Sequence, residues 1–297
     1  MLQPNQNNTV LITGAGGMVG QEISRVFSDT YKLHALLHSQ LDIQDLEKVR
    51  QIFSEIKPGL VIHLAAMTDV DGCERNPAKA MAINAEGTKN IARACVRESA
   101  RLVYLSTSDV FDGTKKTPYD EDDQPNPINH YGRSKYQGEQ AIKEIKPDAY
   151  IIRACWLFGG GAEDKKFVAK ILELAQVQQV ISAVTDVYGS PTYTRDLAEG
   201  IKRIVETGKL GLYHLNNRGC CSRYELTQKI LEYASRCHRD SRIKDCAVQP
   251  VKSADYTTIA PRPLMAAMKS VRLENIGLPN LMRSWEEALE EYLRGTP

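Results

Sequence analysis

A doubly wound α/β fold, a parallel sheet covered by helices on both faces with a smaller mixed α/β lobe beside it, is predicted by three features of the sequence. Short apolar runs alternate with amphipathic helical patterns through the first half of the chain, a glycine cluster ends the first of those runs, and the alternation loosens after Ile152. In order, Thr9 to Thr13 is a β-rich apolar run, followed by Val19, Ile23, Val26 and Phe27 at the spacing of one helix face. A strand at Leu33 to Leu37, a helical pattern at Leu46, Val49 and Phe53, and an apolar run from Leu60 to Ala66 come next. A helix from Ile83 to Val96, a strand at Leu102 to Leu105 and a helix opening at His130 complete the alternation before Ile151-Ile152. Beyond it, Gly159-Gly160-Gly161 interrupts, a helical pattern runs through Phe167, Ile171, Leu174 and Ala175, and Tyr188-Gly189-Ser190-Pro191 reads as a turn. Helical stretches at Thr194 to Val205 and Ser284 to Leu293 are expected to pack back on the first lobe.

Composition excludes several functions. The chain has 297 residues, 42% of them hydrophobic, and 38 basic against 37 acidic side chains leave a net charge of +1. Interspersed charges of that sum give no broad field for nucleic acid or an anionic membrane. The first eight residues read as a loose tail without the apolar core of a signal peptide, and no later run has the length of a membrane span. The seven cysteines are odd in number and scattered, which suits free thiols and a cytoplasmic location. Adjacent Cys220-Cys221 with Cys237-His238 lacks zinc-ligand spacing, so no metal is expected.

The glycine turn carries the first chemical signal. Gly14, Gly17 and Gly20 sit where the first strand passes into the first helix, with Met18 and Val19 between the last two; the helix N-terminus there offers free N–H groups to a pyrophosphate. The usual G-x-G-x-x-G spacing is not met, but strand–turn–helix context supports dinucleotide binding in a Rossmann-type domain. Residues 1–150 are therefore assigned to that domain and residues 151–297 mainly to a substrate lobe. The acid that would hold a ribose 2′-hydroxyl at the end of the second strand is absent, the chain reading Leu36-Leu37-His38-Ser39. This favours NADPH, with NADH as the alternative.

The second signal is Tyr131 and Lys135, four residues apart at the start of a helix and so on one face. An ammonium one turn from a phenol is expected to favour phenolate and lower the tyrosine pKa, fitting Tyr131 for proton transfer. Thr107, just past the end of an apolar strand, is placed to hydrogen-bond a substrate carbonyl.

With these residues the chain resembles the extended short-chain dehydrogenase/reductase family, and within it the dTDP-4-dehydrorhamnose reductases. Matching segments include Ala65-Ala66-Met67-Thr68-Asp69-Val70-Asp71, Val110-Phe111-Asp112-Gly113, Tyr131-Gly132-Arg133-Ser134-Lys135, Trp156-Leu157-Phe158-Gly159 and Arg262-Pro263. The resemblance implies hydride transfer to the C4 keto carbon of a nucleotide-linked 4-keto-6-deoxy sugar, with Thr107, Tyr131 and Lys135 catalytic. It also implies that Tyr131 and Lys135 contact the cofactor, Lys135 at its ribose, that Asp42 and Ile43 lie near the adenine, that Ala65 and Ala66 line the cofactor groove and that Asn84 supports the site. Thr68, Val70, Trp156 and Arg262 would face the substrate. A homodimer is left open.

The chain departs from the group at Ser108 and Asp109, where an aspartate and a tyrosine are usual, and at Lys166, where an asparagine is common. These departures keep two alternatives in view: a reductase or epimerase of another nucleotide sugar, and a non-catalytic cofactor-binding subunit. Of the remaining candidates, Trp156 reads equally as core and as sugar platform, Asp120 to Asp123 as a solvated acidic loop, and His63 as a satisfied core histidine.

Overall fold

β1 (Thr9–Thr13) is enclosed along its whole length, as a strand covered on both faces must be. The computed structural model describes residues 8–295 apart from 161–163, 165, 239–242 and 244, so the expected N-terminal tail lies almost wholly outside the described residues. After β1 come α1 (Met18–Phe27), β2 (Lys32–Leu36), α2 (Leu46–Ile56), β3 (Leu60–His63), α3 (Val70–Arg75) and α4 (Pro77–Met81). A π-helical turn (Ala82–Gly87) leads into α5 (Thr88–Arg97), β4 (Arg101–Thr107), α6 (His130–Ile145) and β5 (Tyr150–Ala154). The rest comprises β6 (Leu157–Phe158), α7 (Phe167–Val177), β7 (Val180–Val184), β8 (Tyr188–Gly189), β9 (Thr192–Tyr193), α8 (Thr194–Thr207), β10 (Gly211–His214), β11 (Cys221–Ser222), α9 (Arg223–His238), β12 (Ala247–Val251) and α10 (Trp285–Gly295).

Six strands form one parallel sheet in the order β2-β1-β3-β4-β5-β10. The chain leaves β1 for one edge and returns to β3 on its other side, and the strand order reverses between them. Open α/β sheets bind ligands in the crevice beyond the carboxyl ends of the strands at such a reversal. On one face α1 and α8 cover the sheet, with Ile23, Phe27, Leu197, Ile201 and Ile204 packed against Val10 and Ile12. The other face carries α2, α5 and α6 through Val49, Phe53, Ile91, Cys95 and Ile142.

The smaller lobe has its own core, in which Ile171 of α7 and Leu226 and Ile230 of α9 meet Trp285, Leu289 and Leu293 of α10. The 284–293 stretch, expected against the first lobe, thus packs in the second. Its apolar stripe says that it must be buried and not against what. β7 and β12 pair in parallel beside it.

Two further differences from the sequence reading have physical causes. The helix expected over Ile83 to Val96 begins as a π-turn; that wider turn carries Asn84, which makes hydrogen bonds outside its own helix. The acidic loop is not simply solvated. Glu121 is 4% exposed and accepts hydrogen bonds from the His214 N–H (2.9 Å), the Ser270 hydroxyl (2.5 Å) and the Val271 N–H (2.9 Å). Asp120, Asp122 and Asp123 pair with Lys269, Arg272 and Lys115. All seven cysteines are free thiols, and no helix among the described residues is long and apolar enough to cross a membrane.

Candidate active site

The turn after β1 is built from glycine because other residues would collide. Gly14 has φ +71°, and a Cβ there would stand 2.7 Å from the Ala65 nitrogen; at Gly20 it would stand 2.6 Å from Ala15 and Gly14 backbone atoms. Gly17 caps α1 without any side-chain hydrogen bond, leaving the helix N-terminus to the cleft. This side-chain-free cradle fits the pyrophosphate of a dinucleotide. Gly14→Ala combines a left-handed φ with a backbone collision, and we expect it to lower stability by about 1–3 kcal/mol, checked by chemical denaturation.

Behind the turn, a buried hydrogen-bond chain fixes the neighbouring loop. Thr13 Oγ1 is 2.7 Å from His63 Nδ1, and His63 Nε2 is 3.1 Å from Thr88 Oγ1. Burial, helped by the Lys135 charge, pushes the His63 pKa down to about 3, so it is a neutral core histidine. The Thr88 hydroxyl donates to the Asn84 carbonyl, and the Asn84 side chain accepts from the Met67 N–H (2.7 Å) and donates to the Met67 carbonyl and Ser134 hydroxyl (3.0 and 2.9 Å). Ser134 in turn donates to the Tyr131 carbonyl at 2.8 Å. Asn84 therefore ties the loop after β3 to the turn that carries Tyr131.

α6 starts where it does because Asn129 caps it, its side-chain oxygen accepting from the Gly132 N–H at 2.7 Å. This puts Tyr131 and Lys135 on the cleft wall beside Thr107, which ends β4. The Thr107 hydroxyl neighbours the Tyr131 phenol and favours its charged form, against the larger effect of burial. Lys135 is 3% exposed, with Nζ 4.2 Å from the centre of the Tyr104 ring.

The titration of this pair runs against the expectation from spacing alone. Burial raises the Tyr131 pKa above its ordinary value, and the Asp109 carboxylate adds to the rise. Burial also pushes Lys135 down to about 7, against the opposing pull of Glu139. Both charged forms lose solvation in the enclosed site, and that loss outweighs the one-turn attraction that the sequence suggested.

Beneath Lys135, Glu139 and Arg153 form an ion pair that is fully enclosed, at 0% and 1% side-chain exposure. Arg153 donates to both Glu139 oxygens, from Nε at 2.9 Å and Nη2 at 2.7 Å, and the hydroxyl of Ser106, a cleft residue, donates to Oε1 at 2.5 Å.

One cleft of 640 Å³ joins these parts. Its walls include Gly14, Gly17, Met18, Val19, Gly20, Ala66, Thr68 and Val70, together with Thr107, Tyr131, Lys135 and Trp156. Trp156 adopts a left-handed backbone (φ +41°) with its ring against Gly189, where a Cβ would approach to 2.2 Å. Asp42, Ile43, Ala65, Asn84 and Arg262 do not line the cleft. Ile43 is buried under Gly87, Asp42 accepts from the Gln44 N–H at 2.9 Å, and Ala65 lies behind Gly14. The Arg262 guanidinium is engaged by Asp71 at 2.8 Å and the Ala260 carbonyl at 2.9 Å.

Of the departures from the group pattern, Ser108 is a buried neighbour of the Cys155 thiol, and Asp109 accepts from Asn129 at 3.2 Å in a setting whose burial raises its pKa. Several cleft residues carry no site role in the sequence pattern, among them Gln21, Ser106, Phe167 and Arg223. Nothing in the sequence distinguishes Arg223 from an ordinary arginine at a helix start.

A parallel sheet reversing at β1 and β3, a glycine cradle at the reversal and a Thr-Tyr-Lys group on the next strand and helix define a member of the extended short-chain dehydrogenase/reductase class. Within that class the chain belongs to the family described as RmlD substrate binding domain, which it matches over residues 8–296. It is 37% identical over 286 residues to a spore coat polysaccharide biosynthesis protein of Bacillus subtilis, covering 96% of each chain. To a dTDP-4-dehydrorhamnose reductase of Mycolicibacterium smegmatis it is 38% identical over 285 residues, covering 95% of this chain and 84% of that one. The crystal structure of a dTDP-4-dehydrorhamnose reductase from Bacillus anthracis in complex with NADP superposes with a TM-score of 0.89 at 37% identity, covering 97% of this chain and 99% of that one.

Proposed function

We propose that the protein is an NADPH-dependent reductase of a nucleotide-linked 4-keto-6-deoxy sugar, acting as a dTDP-4-dehydrorhamnose reductase in the cytoplasm. The observation that carries this reading is the single cleft joining the glycine cradle to Thr107, Tyr131 and Lys135. Its relatives in Mycolicibacterium and Bacillus anthracis, the latter complexed with NADP, support the substrate and cofactor.

The glycine cradle and the α1 N-terminus hold the cofactor's pyrophosphate, and no acid follows β2 to repel a 2′-phosphate. Bound NADPH supplies the hydride. Thr107 donates a hydrogen bond to the sugar carbonyl oxygen and Tyr131 gives its proton to that oxygen as charge develops there. A phenol whose pKa is raised by burial rests in the protonated form that this step needs. Lys135 binds the ribose hydroxyls and, as a cation, stabilises the phenolate left behind. Steady-state oxidation of NADPH with dTDP-4-keto-6-deoxy sugars tests the reading; absence of turnover with every such sugar overturns it.

Lys135 gives the proposal a pH signature. Its folded pKa, near 7, lies below the ordinary lysine value, so the cation is present below about pH 7 and lost above it. NADPH affinity should therefore fall as pH rises through 7, followed by fluorescence titration, and the fall should vanish in Lys135→Met. The stability linkage has the opposite sense: between pH 7 and the unfolded lysine pKa the unfolded chain binds the extra proton, so this residue's contribution to stability rises with pH.

A further inference from the structure

Arg223 opens α9 on the second-lobe wall of the cleft and is half-buried. Its guanidinium lies over the Trp156 ring at 3.5 Å from the ring centre and 4.2 Å from that of Phe167, and both rings also line the cleft. Stacked against aromatic faces, the group keeps its N–H edge for hydrogen bonding, yet it makes no hydrogen bond or ion pair with any described residue. Burial pushes its pKa down only to about 10, which leaves it a cation at neutral pH. The contrast with the neighbouring cations is clear. Arg262 is bound by Asp71, and Lys166 is an exposed side chain on a flexible stem.

We propose that Arg223 is the residue that binds the diphosphate of the nucleotide-linked substrate, held in a fixed orientation by Trp156 and Phe167. This rests on the reductase reading above and names the part of the substrate the second lobe recognises. A planar fork with free donors matches two phosphate oxygens, and the stacking lowers the entropy lost when they bind. A chain of net charge +1 offers no long-range attraction for a doubly anionic ligand, so recognition requires a local cation of this kind. The pyrophosphate of the cofactor already has the glycine cradle. Trp156 then serves as a clamp for Arg223 as well as a wall of the cleft.

Calorimetric titration of the full chain with dTDP, thymidine and NADPH tests the assignment, using wild type, Arg223→Gln and Arg223→Lys. Losing charge-assisted hydrogen bonds should weaken dTDP about 10- to 100-fold in Arg223→Gln, with thymidine and NADPH affinities unchanged. Arg223→Lys keeps the charge without the fork or the stacking and should fall between the two, which keeps the test usable if the glutamine variant does not fold. Undiminished dTDP affinity in either variant overturns the proposal, and so does a parallel loss of NADPH affinity. Turnover by wild type together with full dTDP affinity in Arg223→Gln removes the Arg223 assignment and leaves the reductase reading. Arginine-dependent dTDP binding without turnover does the reverse.

Discussion

Tyr131→Phe should reduce kcat by about 10²- to 10⁴-fold while leaving NADPH affinity within error of wild type. The phenol oxygen is the only heavy atom removed, and the Thr107 hydroxyl is its polar neighbour in the cleft. The ring remains to fill its place on the cleft wall, so folding and cofactor binding have no reason to change. Rapid-mixing kinetics with a dTDP-4-keto sugar, beside a fluorescence titration with NADPH, separate the two effects. A drop in both parameters together would mean that Tyr131 shapes the cofactor site, and an unchanged rate would favour a non-catalytic role for the chain.

Arg153→Met should be the most destabilising single change in the first lobe, at about 3–5 kcal/mol. The arginine is 1% exposed and donates two hydrogen bonds to Glu139, itself 0% exposed, so removing it strands a carboxylate away from water. Pairing it with Glu139→Leu removes the second charge as well. The double variant should recover most of the loss, because the desolvation of both ions disappears along with their attraction. Equilibrium urea unfolding of both singles and the double closes the cycle. The same variants probe the site, since Glu139 opposes the fall in the Lys135 pKa; without its charge, the decline of NADPH affinity with pH should begin at lower pH.

The layered α/β plan and the Thr-Tyr-Lys group were legible because each rests on local pattern: apolar runs, helical spacing and a strand end. The structure brings Thr107, Tyr131 and Lys135 together on one wall, as the spacing and strand position anticipated. What the sequence hid depends on partners far along the chain. α10 has the apolar stripe of any packed helix, and only its contacts with Ile171 and Leu226 assign it to the second lobe. Glu121 sits in an acidic run that looks like a solvated loop, yet His214 and the 270–271 segment enclose it. The Tyr131–Lys135 titration departs from its sequence expectation for the same reason: spacing gives the distance between charges and says nothing of how much water surrounds them. The role of Arg223 is invisible until Trp156 and Phe167 are seen against its guanidinium.

The central claim is that this cleft delivers hydride to a sugar carbonyl while Tyr131 supplies the proton. Incubating the protein with dTDP-4-keto-6-deoxy sugar and NADPH deuterated at the transferring position of C4, followed by NMR of the product, tests that claim directly. Deuterium bound at sugar C4, with its appearance suppressed in Tyr131→Phe, is the predicted result. Wild-type protein that leaves C4 unlabelled while binding both ligands would contradict it.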